Sequence, residues 1–195
     1  MLIRTCLCLI TRQARSGGTG IAGGGGTGIA GGGGTGIAGG GARQELLLGF
    51  KKRGFGVGRW VGLGGHVEDG EAYADAAARE VREESGLIVP VQSLGHMATL
   101  NFTFPARPSW DQVAEVFLTT EFAGEPAESD EVLPRWFGTS TLPFDAMWDD
   151  ARYWVPLVLA GQRIISNIVF ADDCATVASV DTALAADPNT TRGIR

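Results

Sequence analysis

The sequence predicts an α+β protein in which a mixed β-sheet lies between helices. Strand-like segments occur near both ends of the chain, and a helical segment separates several of them. The chain is rich in glycine, but more than half of the glycines lie in one tract. The rest of the chain has an ordinary globular composition. We expect one domain across residues 1–195, because a chain of 195 residues forms one hydrophobic core more readily than two.

The predicted elements alternate along the chain. The first strand is predicted at 2–11 and the second at 45–51, followed by a Gly- and Arg-rich turn at 52–60. The alanine-rich segment 71–85 predicts a helix, with Asp69 as candidate N-cap and Gly86 as its C-terminal stop. Further strands are predicted at 87–91, 95–104 and 113–122. A second helix is predicted at 149–160 despite Pro156, and a closing strand at 163–170.

A glycine tract interrupts the chain between the first two predicted strands. Residues 17–41 contain 16 of the 30 glycines and repeat the unit TGIAGGGG three times, the last copy one glycine short. Each copy, together with the glycine before it, gives a GxGxxG match, but that pattern binds a dinucleotide only where a strand leads directly into a helix. No helical pattern follows here, so we interpret the tract as a flexible insertion and not as a Rossmann motif. A frayed tail is expected at 187–195.

Charge and cysteine content narrow the possible partners and compartments. The net charge of −6 argues against binding a nucleic-acid polymer, which requires a basic face. Cys6, Cys8 and Cys174 are unclustered, which suits a reducing compartment. No apolar run approaches the roughly 20 residues that a transmembrane helix needs. Residues 1–44 have arginines but no acidic residue, as in some organellar presequences. A buried first strand explains this segment better than a presequence does. We therefore expect a cytoplasmic protein, with a mitochondrial or nuclear location left open. We also expect a monomer.

The most informative stretch is GHVEDGEAYADAAAREVREESGL at 65–87. Glu80, Glu83 and Glu84 are spaced i, i+3 and i+4, which places three carboxylates on one helix face. Such hard oxygen donors suit Mg²⁺, with Mn²⁺ as an alternative, and both ions can bridge substrate phosphates. Three glutamates alone would more often indicate a solvated acidic helix face. Glu71 and Arg79 are expected to form a structural ion pair between the preceding loop and the helix.

The full pattern of this stretch resembles the Nudix box, G-x5-E-x7-R-E-U-x-E-E-x-G-U with U aliphatic, at every specified position. The chain therefore resembles members of the Nudix hydrolase superfamily. Other segments are similar to the MutT-homologue branch, which acts on oxidised purine nucleotides. These are KKRGFGVGRW at 51–60, ESDE at 128–131, PRWF at 134–137, PF at 143–144, MW at 147–148 and YW at 153–154.

This resemblance implies the Nudix α/β/α sandwich with a mixed, curved sheet. It also implies Mg²⁺-dependent hydrolysis of a nucleoside triphosphate such as 8-oxo-dGTP or 2-hydroxy-dATP to the monophosphate and pyrophosphate, which sanitises the nucleotide pool. The implied metal-binding and catalytic residues are Glu80, Glu83, Glu84 and Glu131, with the Gly64 carbonyl as a further metal ligand. One of these glutamates would accept the proton of the attacking water. The implied substrate-binding residues are Lys51, Gly65, Phe102, Phe104, Trp148, Asp149 and Asp150.

Two departures from the branch concern recognition of the base. The branch has an asparagine after the loop tryptophan, where this chain has Val61. It also has a Trp-Pro-Asp-Asp run before its Tyr-Trp. In the simpler, ungapped register on Tyr153-Trp154, Asp149 falls on the proline, Asp150 on the first aspartate and Ala151 on the second, whereas a gap would pair Asp149 and Asp150 with both aspartates. Loss of polar groups should weaken base discrimination. Two alternatives therefore stay open: hydrolysis of another nucleoside diphosphate derivative (a diadenosine polyphosphate, a cap or a nucleotide sugar), and a catalytically silent nucleotide-binding module.

Overall fold

One mixed sheet of eight strands organises the protein. The computed structural model describes residues 2–14 and 43–185; the glycine tract at 17–41 and the expected tail at 187–195 lie outside them. The strands are β1 (Ile3–Gln13), β2 (Gln44–Lys51), β3 (Trp60–Val61), β4 (Gly95–Thr103), β5 (Gln112–Thr119), β6 (Val132–Gly138), β7 (Ile164–Phe170) and β8 (Val177–Leu184). Their order is β3-β2-β1-β5-β4-β7-β8, with β6 also paired to β2. The pairs β1–β5 and β4–β7 are parallel and the others antiparallel.

Helices α1 (Tyr73–Ser85) and α2 (Ala151–Leu159) cover opposite faces of this sheet. Because successive side chains of a strand point to opposite faces, β1 and β2 each contribute to two cores. Cys6, Cys8 and Leu47 pack with α1, whereas Leu9 and Leu46 pack with α2. Burial raises the pKa of Cys6 to about 11 and that of Cys8 to about 12, as expected for thiols that serve as core residues. The predicted α/β/α sandwich is therefore confirmed.

Most predicted elements are present with small shifts of their ends. The first, second and fourth predicted strands correspond to β1, β2 and β4, and both predicted helices are observed. The fifth predicted strand ends earlier, since β5 stops at Thr119. Gly86 follows α1 in the left-handed conformation, with φ of 73°, and its N–H bonds to the Arg82 carbonyl, so it is the predicted C-terminal stop.

Three predictions about secondary structure are wrong. Asp69 does not cap α1, because the helix begins at Tyr73 after an extended Ala72, and Asp69 lies in the preceding turn. The segment 87–91 forms only a bridge between Ile88 and Ala123, since Pro90 cannot continue a ladder. The strand at 163–170 does not close the sheet, because β8 follows it. β6 and β3, which includes Trp60 of the predicted turn, were not predicted either.

No helix within the described ranges has the length and apolar character needed to cross a bilayer.

The strands on either side of the glycine tract lie side by side. β1 and β2 pair antiparallel up to Gln13 opposite Gln44, and the Ala14 N–H donates to the Arg43 carbonyl at 2.6 Å. The sheet therefore brings the two ends of the insertion to within the reach of a short hairpin loop.

We predict that deleting residues 17–41 leaves folding and activity nearly unchanged. Five residues (Ala14, Arg15, Ser16, Ala42 and Arg43) would then connect two strands that are already paired. The shorter loop should raise the free energy of unfolding by about 1–2 kcal/mol, because less entropy is lost on closing it. Urea denaturation and turnover of the deletion variant against the full chain measure both quantities. Failure of the variant to fold would show that the tract is more than a spacer.

Candidate active site

Gly64 and Gly65, called the glycine segment below, cross between β1 and α1 at one end of the sheet. The Cys6 N–H donates to the Gly65 carbonyl at 2.9 Å, which holds this backbone against β1. Gly64 has φ of 154°, and a Cβ there would collide with the Cys6 carbonyl oxygen. A Cβ on Gly65 would lie 2.6 Å from the Glu80 carboxylate. Gly64 therefore has no room for a side chain against β1, whereas a side chain at Gly65 would displace the Glu80 carboxylate.

Glu84 of α1 is a buried carboxylate held from two directions. Its residue is 2% exposed, and its Oε2 accepts a hydrogen bond from the Gly64 N–H at 2.9 Å. Its Oε1 accepts from the Lys51 ammonium at 2.8 Å, and Lys51 also lies 3.6 Å from the Glu131 carboxylate. Burial lowers the pKa of Lys51, but the hydrogen bond and charge of Glu84 outweigh it and leave the pKa above its usual value. The ammonium is therefore a fixed positive charge among the carboxylates.

Arg79 binds the other two carboxylates of the helix face and the preceding loop. Its guanidinium forms the expected ion pair with Glu71 through two contacts, of 2.9 and 3.0 Å. It also contacts Glu80 at 2.9 Å and Glu83 at 3.1 Å, and it donates to the His66 carbonyl at 3.0 Å. Hydrogen bonds from Arg79 lower the pKa of Glu71 to about 2. This single arginine ties the loop to α1 and offsets the repulsion within the acidic face.

The implied metal-binding carboxylates fall into two pairs, each of which shares one cation: Glu84 and Glu131 contact Lys51, and Glu80 and Glu83 contact Arg79. Within residues 2–14 and 43–185, no three acidic, histidine or cysteine side chains are grouped so as to hold a metal ion. Glu84 faces Lys51, whereas Glu80 and the more exposed Glu83 face Arg79. The available donors are nevertheless all carboxylate and backbone oxygens beside a glycine segment, which is the chemistry that Mg²⁺ or Mn²⁺ requires. The residues present therefore fit a hard divalent cation.

A cavity of 610 Å³ extends from this region into the sheet face covered by α2. Lys51, Gly64, Gly65 and Glu131 line its charged end. The predicted base-contacting residues that line the other end are Phe102, Phe104, Trp148 and Asp150. The volume lies in the range of small-molecule sites, so one molecule can contact both ends.

Asp149, predicted to contact substrate, does not reach this cavity. Its carboxylate pairs with Arg152 at 3.0 Å and accepts the Val177 N–H at 2.9 Å, which ties the start of α2 to β8. The next residue, Asp150, points inwards instead, because one step at the start of a helix rotates the side-chain direction by about 100°. The two neighbouring acids therefore have different structural surroundings.

Two aromatic residues of the cavity were missed by sequence analysis. Phe55, in the Gly-rich loop, stacks on Trp148 with ring centroids 5.0 Å apart and planes inclined by 18°. Trp110 meets Phe55 edge-on at 5.1 Å and Phe104 at 5.6 Å. The glycines around Phe55 hinted at a binding loop, but no local pattern marks Trp110, which lies in a short turn before β5. Together these rings form a wall on which a planar base can stack.

Asp150 is the buried acid at the aromatic end. It is 5% exposed and accepts a hydrogen bond from the Trp154 indole at 2.7 Å. Burial raises the pKa of Asp150 to about 6, and the hydrogen bond from Trp154 only partly opposes the rise. Val61 and Ala151 line the same cavity, so the two positions that differ from the MutT-homologue pattern present apolar groups to the ligand.

The chain is similar to known proteins in both its sequence and its fold. The sequence profile described as the NUDIX domain matches residues 39–158. The chain is 42% identical over 130 residues to the oxidized purine nucleoside triphosphate hydrolase of Mus musculus, covering 66% of this chain and 81% of that protein. It is 43% identical over 125 residues to the enzyme of the same name from Danio rerio, covering 64% and 78%. A crystal structure of a MutT protein from Bacillus halodurans superposes with a TM-score of 0.67 at 19% identity, covering 93% of this chain and 97% of that one. At that identity the superposition supports the fold alone.

We predict that Asp150→Asn stabilises the protein at neutral pH. Because the pKa of Asp150 rises from 3.8 to about 6 on folding, the folded state holds more protons than the unfolded state between those values. Stability therefore falls as pH rises through this window, by up to roughly 3 kcal/mol above pH 6, and the amide avoids that loss. Urea denaturation at several pH values from 4 to 7.5 measures the difference, which should grow with pH.

Asp149→Asn is the matched control, because its carboxylate is paired with Arg152. Because the charge of Asp149 contributes to the raised pKa of Asp150, this variant should show at most a small part of the gain that grows with pH. An advantage of Asp150→Asn that is the same at every pH would contradict the explanation by burial of the carboxyl group.

Proposed function

The chain belongs to the NUDIX family, and on that basis we propose that this Nudix hydrolase cleaves oxidised purine nucleoside triphosphates to the monophosphate and pyrophosphate. One observation carries the proposal: a single cavity joins an aromatic wall with a buried acid to an end lined by Lys51, Glu131, Gly64 and Gly65, beside which Glu84 is bonded to Lys51 and Gly64. A purine base and a polyphosphate chain need those two environments. The names of the mouse and zebrafish relatives support the same substrate class.

The aromatic end suits a purine held mainly by stacking. Trp148 and Phe55 are stacked on each other, with ring centroids 5.0 Å apart, so a base would stack against an outer face of this pair. Stacking of a base on an aromatic side chain contributes roughly 1–3 kcal/mol. Asp150 can hydrogen-bond an edge of the base as donor or acceptor, because its pKa of about 6 keeps both protonation states accessible. With Val61 and Ala151 as neighbours, this carboxyl group carries much of the polar recognition.

At the other end, we propose that Glu80, Glu83, Glu84 and Glu131, with the Gly64 carbonyl, hold Mg²⁺, and that Mn²⁺ can replace it. When bound there, such an ion would supply positive charge for the phosphoryl oxygens and would lower the pKa of a coordinated water. Lys51 lies beside Glu84 and Glu131 and can bind a phosphate oxygen. One of the glutamates accepts the proton of the attacking water. Arg79 is a positioning residue, since it orients Glu80 and Glu83 through direct contacts.

We predict that Glu84→Gln lowers turnover by roughly a hundredfold or more while the protein stays folded. The amide oxygen can still accept the Gly64 N–H, but the negative charge offered to the metal is lost. Steady-state pyrophosphate release and a thermal melt measure the two effects. Glu121→Gln is the control, since Glu121 is exposed just after β5, and its turnover should equal that of the wild type. Near-normal activity of Glu84→Gln would contradict the assignment.

We also predict that the wild-type chain prefers an oxidised purine triphosphate over the other candidates. Pyrophosphate and monophosphate release are measured with Mg²⁺ for dGTP, 8-oxo-dGTP, 2-hydroxy-dATP and a diadenosine polyphosphate, and kcat/KM values are compared. A preference for 8-oxo-dGTP or 2-hydroxy-dATP supports the proposal. Equal cleavage of all four, or preferential cleavage of the polyphosphate, would retain the Nudix chemistry and reject the substrate class. Binding without any metal-dependent turnover would indicate a silent nucleotide-binding module.

A further inference from the structure

We propose that Lys51 is an internal counter-cation of the metal site: it occupies Glu84 when no divalent ion is bound and must leave Glu84 when one binds. The inference rests on the proposed function to the extent that Glu84 is a metal ligand. It adds a role for Lys51 before substrate binds: the lysine competes with the metal ion for Glu84 and leaves Glu84 when the ion binds.

The contacts of Lys51 place its charge on the proposed ligands themselves. Its ammonium is 2.8 Å from Glu84 Oε1 and 3.6 Å from Glu131 Oε2. The Lys51 side chain is 14% exposed and that of Glu84 is 3% exposed, so solvent screens their contact only weakly. Without Lys51, the Glu84 carboxylate would be buried with one backbone hydrogen bond as its compensation, which is strongly unfavourable for a charge.

An ammonium group and a divalent ion cannot both take this position at low cost. Glu84 Oε2 is already bonded to the Gly64 N–H, so Oε1 is the oxygen that faces a cation. Two cations on one buried carboxylate would lie within a few ångströms of each other, where repulsion in a poorly screened site exceeds thermal energy several-fold. Binding of the metal ion must therefore move the lysine side chain.

Backbone hydrogen bonds hold Lys51 in place, so only its side chain can move when the metal ion binds. The Lys51 N–H donates to the Arg59 carbonyl at 2.9 Å, and its carbonyl accepts from the Gly58 N–H at 2.8 Å. Lys51 also lines the large cavity. A side chain displaced from Glu84 therefore stays at the charged end, where phosphate groups of a bound nucleotide would be its new partners. Metal binding would thus make a positive charge available for the substrate.

The adjacent Lys52 provides a matched control for charge. Its ammonium pairs with Glu128 at 2.7 Å in an exposed position, where the two side chains are 33% and 56% accessible. Lys51→Met and Lys52→Met remove the same charge from neighbouring positions. Only the first removes it from the proposed metal ligands.

The experiment is an Mn²⁺ titration of the full chain by isothermal calorimetry, without nucleotide. Lys51→Met should lower the dissociation constant about tenfold, which corresponds to ~1.4 kcal/mol. Its melting temperature should fall without metal and rise more than that of the wild type when Mn²⁺ is added. Lys52→Met and the charge-conserving Lys51→Arg should bind Mn²⁺ as the wild type does. An unchanged or weaker affinity of Lys51→Met, or an equal gain in Lys52→Met, overturns the inference.

A second measurement uses the wild-type chain and therefore does not depend on the folding of a variant. Lysine acylation followed by peptide mass spectrometry reports the reactivity of each amine. Labelling of Lys51 should increase several-fold with Mn²⁺, while that of Lys52 should not change. A Lys51 signal that is the same with and without Mn²⁺ overturns the inference.

The Glu84→Gln variant separates this inference from the proposed function. If Glu84→Gln leaves Mn²⁺ affinity unchanged, Glu84 is not a ligand, and both the proposed metal set and the counter-cation role fail. If Glu84→Gln weakens Mn²⁺ binding but Lys51→Met does not strengthen it, the metal set stands and only the role of Lys51 fails.

Discussion

A single buried carboxylate, Glu84, sets the arrangement of the site. A charge that is almost fully removed from water must be compensated by hydrogen bonds and an opposite charge. The Gly64 N–H provides the first and Lys51 the second. For both to reach Glu84, the glycine segment must pass directly beside α1, and the end of β2 must face the same point. The relative positions of the glycine segment, β2 and α1 therefore all depend on this one ionised group.

The glycines make this arrangement sterically feasible. The segment is pressed between β1 and α1 so closely that a Cβ at Gly64 or Gly65 would overlap the Cys6 carbonyl or the Glu80 carboxylate. Arg79 then secures the rest of the loop by its contacts with Glu71 and the His66 carbonyl. Close approach of backbone and acidic helix is what places oxygen donors around one end of the cavity.

Phosphate chemistry and base recognition come from different parts of the fold. The charged end is built from the loop before α1, the end of β2 and Glu131 before β6, whereas the aromatic end comes from the Gly-rich loop after β2, the end of β4, the turn before β5 and the start of α2. Because the two ends share few residues, one can change while the other is retained. This explains why the box is complete although Val61 and Ala151 depart from the MutT-homologue pattern at the base.

Strands with a clear buried face were predictable, and strands without one were not. β1, β2 and β4 carry alternating or continuous apolar residues, and their bounds were predicted within a few positions. β8 exposes most of its residues, so its sequence has no alternation to detect. β6 contains Pro134, which argues against a strand until its pairing with Gly49 of β2 is seen.

The sequence by itself determined the helix with its acidic face, the glycines that flank it and the Glu71–Arg79 pair. Residues three, four or eight positions apart in and beside one helix have a relationship that local geometry dictates. Only the tertiary structure decided that Lys51 lies on Glu84, that Phe55 and Trp110 complete the wall around Trp148, and that Asp150 and not Asp149 faces the cavity. Those contacts depend on the paths of loops and on packing between distant segments, and no local spacing encodes them.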